Sequence, residues 1–182
     1  RMNEPLEKVK KLGQLYYDIR SGLSAEKTPE EYGAFPYDPY SHTPAHSGAQ
    51  QPGMTGQVKE EILTRFGELG CTVVDGCITF EPSLLKNSEF LTAKRVFEYY
   101  DVLQQNQQLT IQKDQLAYTF CQVPVIYTLS DRESHIILEY SDGSRVELDS
   151  NRLDEKQSSY IFNRDNTIIE ISVFIHTKSP FD

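Results

Sequence analysis

The spacing of apolar residues changes at Gly70, and that change sets what the chain can fold into. Before it, apolar residues recur every three or four positions. Leu6, Val9, Leu12, Leu15, Tyr16 and Ile19 make one helical stripe, with Glu7, Lys8, Lys10 and Lys11 on the other faces and Gly22 as the stop. Val58, Ile62, Leu63, Phe66 and Leu69 make a second, with Thr55 as candidate N-cap and Gly70 ending it. After Gly70 the period becomes two. Cys71–Val74 and Cys77–Phe80 flank Asp75-Gly76, a strong two-residue hairpin signal. The 135–140 and 145–148 runs flank Ser141-Asp142-Gly143-Ser144 in the same style, and Tyr160–Phe162 and Thr167–Ile175 flank Asn163-Arg164-Asp165-Asn166. Further strand-type runs lie around Val96–Leu103, Leu116–Phe120 and Val123–Leu129, with Pro124 expected at an edge or bulge. The expected fold is α+β and mostly β: two N-terminal helices joined by a long ordered loop, then an antiparallel, jelly-roll-like β-sandwich. The expected domains are a helical arm over residues 1–70, with its loop at 28–57, and the sandwich over 71–182.

The loop concentrates the chemistry. From Thr28 to Gly56 it holds Pro29, Pro36, Pro39, Pro44 and Pro52 with Gly33, Gly48, Gly53 and Gly56, so neither a helix nor a central strand can form there. Tyr32, Phe35, Tyr37, Tyr40, His42 and His46 make it more than a linker, and favour an ordered, packed loop. Sugars are held by aromatic faces with carboxylates, amides and hydroxyls, which donate and accept. Tyr37, Asp38 and His42 supply such groups, and Gln50 and Gln51 add two amides. Gly53 to Gln57, including Thr55 and Gln57, then offers backbone N–H groups at a helix start, suited to an anion or a polarised oxygen. The plainer alternative is that these groups satisfy the loop's own backbone.

Other chemistries are disfavoured. Glu60 and Glu61 near the helix start are what the macrodipole favours, and nothing sets Asp38 across from Glu60 as a catalytic pair. Pro44 between His42 and His46 defeats helical metal-ligand spacing, and no CxxC occurs, so no metal is expected. Ser41-His42 is not a nucleophile–base pair, and no nucleophile elbow, phosphate-binding loop or dinucleotide fingerprint exists, so no cofactor is expected. Tyr99, Tyr100, Tyr118, Tyr127, Tyr140 and Tyr160 would suit a sugar platform, but tyrosine favours strands in any case and tryptophan is absent. In the Asp75-Gly76 hairpin Cys71 faces Phe80 and Cys77 faces Val74, so Cys71, Cys77 and Cys121 are expected as free, buried thiols.

A net charge of −9 argues against nucleic acid, whose phosphates need a positive surface. No run of about 18 apolar residues spans a membrane. The chain opens on a charged helix rather than an apolar signal segment, which fits a cytoplasmic or an exported protein alike. The opening Arg1-Met2-Asn3 suggests a piece of a longer protein. The two stripes need a covering, which the sandwich, a second copy or the rest of a longer chain would supply.

The string Glu68-Leu69-Gly70, followed by Val74-Asp75-Gly76-Cys77-Ile78-Thr79-Phe80-Glu81-Pro82-Ser83-Leu84-Leu85, resembles a junction in the large carbohydrate-active enzymes built on an (α/α)6 toroid. Maltose- and cellobiose-type phosphorylases and related glycosidases are of this kind. There the last toroid helix runs into a C-terminal β-sandwich. The resemblance implies that Arg1 to Gly70 are the last toroid helices, and that Tyr32–Gln57 is a loop over the toroid mouth. It also implies that Gly53–Gln57 begins the last inner helix. It makes carbohydrate the expected partner, with Tyr37, Asp38, His42, Gln50, Gln51, Thr55 and Gln57 as contacts. The segment before Gly70 is too short for a whole toroid, so glycoside cleavage or phosphorolysis would be completed by residues outside this sequence. The alternative is a stand-alone carbohydrate- or protein-binding module without catalysis, and a third reading is a purely structural domain.

Overall fold

The computed structural model describes residues 6–21 and 55–176. The chain divides into two compact units, one ending at Gly67 and the other beginning at Glu68. In the first, the expected helices form as α1 (Leu6–Ser21) and α2 (Thr55–Leu69), the latter running on into the second unit. Within their stripes Leu12 is 57% exposed, Leu15 55%, Ile62 54% and Leu63 71%, whereas Leu69 is buried.

The second unit is strand-rich. Its strands are β1 (Cys71–Val74), β2 (Cys77–Phe80), β3 (Arg95–Tyr100), β4 (Asn106–Ile111), β5 (Gln115–Phe120), β6 (Val123–Ser130), β7 (His135–Tyr140), β8 (Arg145–Leu148) and β9 (Ile168–His176). The fold is α+β and mostly β, as the periodicity implies. The β1–β2 hairpin has the expected register, Cys71 opposite Phe80 and Val74 opposite Cys77. All three cysteines are free; Cys71 and Cys77 are buried, while Cys121 is only half-buried.

Two expectations need correction. The strands do not form a wholly antiparallel pair of stacked sheets. They form hairpins β1–β2 and β3–β4 and one five-stranded sheet in the order β5-β6-β9-β7-β8, in which β6 and β9 run parallel. The second concerns residues 155–163, where Tyr160–Phe162 resembles a strand but lies in helix α3 (Glu155–Asn163). Asp154 caps that helix: its carboxylate accepts from the Gln157 N–H at 2.7 Å, and the Gln157 side chain accepts from the Asp154 N–H at 3.0 Å. Helix α3 returns the chain so that β9 inserts between β6 and β7. Ile168, Ile171 and Val173 suit that central position, where a strand is flanked on both edges. Pro124 lies on β6 one residue before the pairing with β9 begins, so its missing N–H breaks no ladder there.

One face of the large sheet makes the core. Leu116, Tyr127, Val173 and Ile136 are successive cross-strand partners, as are Val125, Ile171 and Leu138 in the next row. All seven are buried. Burying each large apolar side chain stabilises by about 1.5–3 kcal/mol. Hairpin β1–β2 and helix α3 cover this face. Phe80 meets Tyr127 edge-on at 6.3 Å between ring centres, and Phe120 meets Phe162 at 6.4 Å. The second edge of β2 is satisfied by the segment before α3: Phe80 donates to the Asn151 carbonyl and Leu153 to that of Ile78, at 2.8 and 2.9 Å. The Ile78 N–H donates to the buried Ser158 hydroxyl at 3.0 Å.

A small polar network lies inside this core. The Tyr118 hydroxyl donates to that of Tyr127 at 3.0 Å, and Tyr127 donates to the Leu69 carbonyl at 2.6 Å. Burial pushes the Cys71 thiol up from 9.0 to about 11, and pushes both tyrosine hydroxyls well above their ordinary 10.0. The folded state therefore holds these protons more tightly than the unfolded one. Their contribution is complete below pH 9.0 and is lost as the pH rises through about 11 and beyond. The expected result is cooperative alkaline unfolding, with the tyrosinate absorbance of Tyr118 and Tyr127 rising in step with the loss of far-UV circular dichroism. Two tyrosinates appearing while the dichroism stays native would contradict the burial.

Candidate functional site

The other face of the sheet is more polar, and β3–β4 leans over one end of it. The hairpin alternates: Phe97, Tyr99, Gln107 and Leu109 are half-buried, while Val96, Glu98, Tyr100, Asn106, Gln108 and Thr110 are exposed. Phe97 and Tyr99 stack at 5.6 Å with 14° between their planes. Between this inner side and the sheet lies a cleft of about 450 Å³, within the size range of small-molecule sites. Tyr99, Gln107 and Leu109 form one wall, and Pro124, Glu139 and Glu170 the facing one.

The hairpin's turn is fixed by one carboxylate. Asp101 accepts from the Leu103 and Gln105 N–H groups, both at 2.9 Å, and from the Gln107 amide at 2.8 Å. These donors, the Gln105 N–H foremost, hold its carboxyl below the ordinary carboxylate range. The Asp101 carbonyl in turn accepts from the Gln122 amide at 2.9 Å, which ties the turn to the β5–β6 connection. There Cys121 and Gln122 both take left-handed backbone, φ 50 and 68°, as a tight two-residue turn requires.

On the sheet wall, Glu139 and Glu170 stand directly opposite each other on β7 and β9. Arg145 of β8 binds Glu139 at 2.9 Å, and the Ser172 hydroxyl donates to Glu170 at 3.1 Å. The Tyr99 hydroxyl is raised above its usual value, first by burial and then by the charges of Asp101 and Glu170, so it is a neutral donor at physiological pH. Carboxylates, side-chain amides and a phenol around an aromatic face can hold a ligand by hydrogen bonds and ring contact.

Two of the residues expected from sequence lie on α2. Thr55 and Gln57 fall in the first turn of α2, with Thr55 the first helical residue rather than the cap before it. Glu60 and Glu61 fall in the second turn, and the first has no acidic residue. Tyr37, Asp38, His42, Gln50 and Gln51, and the rest of the loop at 28–54, lie outside the described residues. The tyrosines form no platform: Tyr118 and Tyr127 belong to the core network, Tyr99 faces the cleft and Tyr100 is 62% exposed. Among the described residues no group of three or more His, Cys, Asp and Glu converges as a metal site, and no helix is long and apolar enough to cross a membrane. The chain matches no protein-family model, and no curated protein matches it in sequence.

Spacing alone does not single out Gln107, Gln122, Glu139 and Glu170 as a site. Their one local signal is the amide-rich stretch Gln104 to Gln108, where polar residues alternate with Leu109 and Ile111 on a strand. Neither Glu139 nor Glu170 is marked by any motif.

Proposed function

We propose that this chain is the C-terminal part of a carbohydrate-active protein, and that it contributes sugar binding without a complete catalytic apparatus. The observation that carries this is the cleft under β3–β4, where Tyr99 faces Glu139 and Glu170 and side-chain amides stand along the same wall. A ring face with adjacent carboxylate and amide groups matches a sugar, which has an apolar face and a rim of hydroxyls. The helical unit supports the larger-protein part of the proposal. Leu12, Leu15, Ile62 and Leu63 are each more than half exposed, and the resemblance to a toroid's end would have neighbouring helices cover such stripes. Helix α2 also ends at Leu69 and passes straight into a β-hairpin, the order that the resemblance implies. In this proposal the loop residues Tyr37, Asp38, His42, Gln50 and Gln51 supply a second sugar-contacting surface.

The test is a glycan array probed with the wild-type chain, with Tyr99→Ala, and with Asp38→Ala combined with Gln50→Ala. Wild type is expected to bind a defined set of glycans, and Tyr99→Ala to lose at least about tenfold in affinity, the size of a lost stacking contact with its hydrogen bond. No binding by wild type would sink the proposal. Binding unchanged in Tyr99→Ala but lost in the loop variant would move the site to the loop.

A further inference from the structure

We infer that the cleft between β3–β4 and the sheet selects a ligand carrying a positively charged amine, an amino sugar in place of a neutral one. The inference rests on the sugar-binding proposal and names the class of sugar. It starts from the balance of groups in the cleft. Among the described residues no Lys, Arg or His lines it, whereas Asp101, Glu139 and Glu170 do. One N–H of the Gln107 amide goes to the Asp101 carboxylate and one of the Gln122 amide to its carbonyl, and the side-chain oxygens of both add acceptors to the carboxylates.

The floor repeats the same bias. Like charges directly opposite each other on neighbouring strands destabilise a sheet, and Glu139 and Glu170 are such a pair. Arg145 answers only one of them, from an edge strand where it is 68% exposed. Glu170 has the Ser172 hydroxyl as its hydrogen-bond partner among the described residues, whereas a carboxylate can accept about four such bonds. Separately, Tyr99, whose ring stacks on that of Phe97, lines the same cleft, and aromatic rings attract ammonium groups. An ammonium donates three hydrogen bonds and accepts none, so it suits a cleft with three carboxylates and an aromatic ring in its lining. The net charge of −9 adds a long-range field of the right sign.

The experiment is a calorimetric titration of the whole chain with three probes: a glucosamine oligomer, the N-acetylated oligomer of the same length, and a polyamine without sugar rings. Each is run on wild type and on Glu170→Gln, which removes one of two opposed charges and is expected to melt no lower than wild type. The amino sugar is expected to bind at least about tenfold more tightly than its acetylated form, and Glu170→Gln to remove that margin, as loss of one charge-assisted hydrogen bond does. Equal affinity for the two oligomers overturns the amine inference and leaves sugar binding standing. A polyamine binding as tightly as the amino sugar, with no binding of the acetylated form, keeps the amine inference and overturns the sugar. Silence from all three overturns both.

Discussion

Gly70→Ala is expected to destabilise the strand-rich unit by about 2–5 kcal/mol, combining the cost of left-handed backbone with that of overpacking. Gly70 has φ +65°, a conformation that disfavours any Cβ. An added Cβ would also lie 2.1 Å from the carbonyl carbon and oxygen of Glu81. That neighbour is backbone and cannot rotate away, and the Glu81 N–H donates to the Gly70 carbonyl at 2.8 Å, so separating the two strands of chain would break this bond as well. The position is where helix α2 hands over to β1, so the damage falls on the start of the hairpin that covers the core. Domains of this size are stable by only about 5–15 kcal/mol, so a loss of this order is a large share of the whole. Gly143→Ala is the matching control. Gly143 has φ +83° but nothing within 4 Å of an added Cβ, so it carries the backbone cost without the collision. Urea unfolding should put the midpoint of Gly70→Ala well below that of Gly143→Ala. Equal midpoints would show that the chain at Glu81 can step aside.

Much of the architecture is legible in local sequence because local interactions decide it. Asp75-Gly76 sets the β1–β2 register without help from the rest of the fold: Asp75 and Gly76 both take the positive φ that a two-residue hairpin turn requires. The failures arise where distant contacts win. Tyr160-Ile161-Phe162 has strand-type side chains, yet the run is helical because the helix buries Ile161 and Ser158, the latter bonded to β2, while Asp154 and Gln157 cap the start. That capping pair, three residues apart, was the available helix signal, weakened by the polar character of the segment. Strand β4 is hidden for the opposite reason. Asn106, Gln107 and Gln108 are poor strand formers, and only pairing with β3 makes them one. The parallel contact of β6 with β9 has no local signature at all, since 37 residues separate Ser130 from Ile168. The cleft shares that obscurity. Its residues come from β3, β4, the β5–β6 turn, β6, β7 and β9, and the folded sheet alone makes Glu139 and Glu170 neighbours. The loop at 28–54, by contrast, announces its chemistry in sequence because proline, glycine and aromatic residues are dense there.

Tyr127→Ala should be at least as damaging as the glycine substitution, and comparing it with Tyr127→Phe separates packing from hydrogen bonding. Tyr127 is fully buried at the middle of the core face, edge-on to Phe80 at 6.3 Å and to Tyr118 at 5.4 Å. Truncating a buried ring of this size costs about 3–5 kcal/mol, through lost transfer energy and the cavity left behind. The hydroxyl adds a distinct role. It donates to the carbonyl of Leu69, the last residue of α2, whose carbonyl has no partner within the helix, and it accepts from Tyr118. Phenylalanine keeps the ring and removes both bonds, leaving a carbonyl and a hydroxyl to be satisfied in an apolar surround. A buried polar group left without its partner costs about 1–3 kcal/mol. The expected order of urea midpoints is therefore wild type, then Tyr127→Phe, then Tyr127→Ala, with the first step smaller than the second. Tyr127→Phe should also loosen the helix end selectively: amide exchange should speed up around Leu69 and Gly70 more than in β7 or β9. A Tyr127→Phe variant as stable as wild type, with unchanged exchange at Leu69, would mean that the hydroxyl does not hold the helix end. In that case Gly70 alone would fix the handover from helix to strand, and Gly70→Ala would be the more damaging of the two changes.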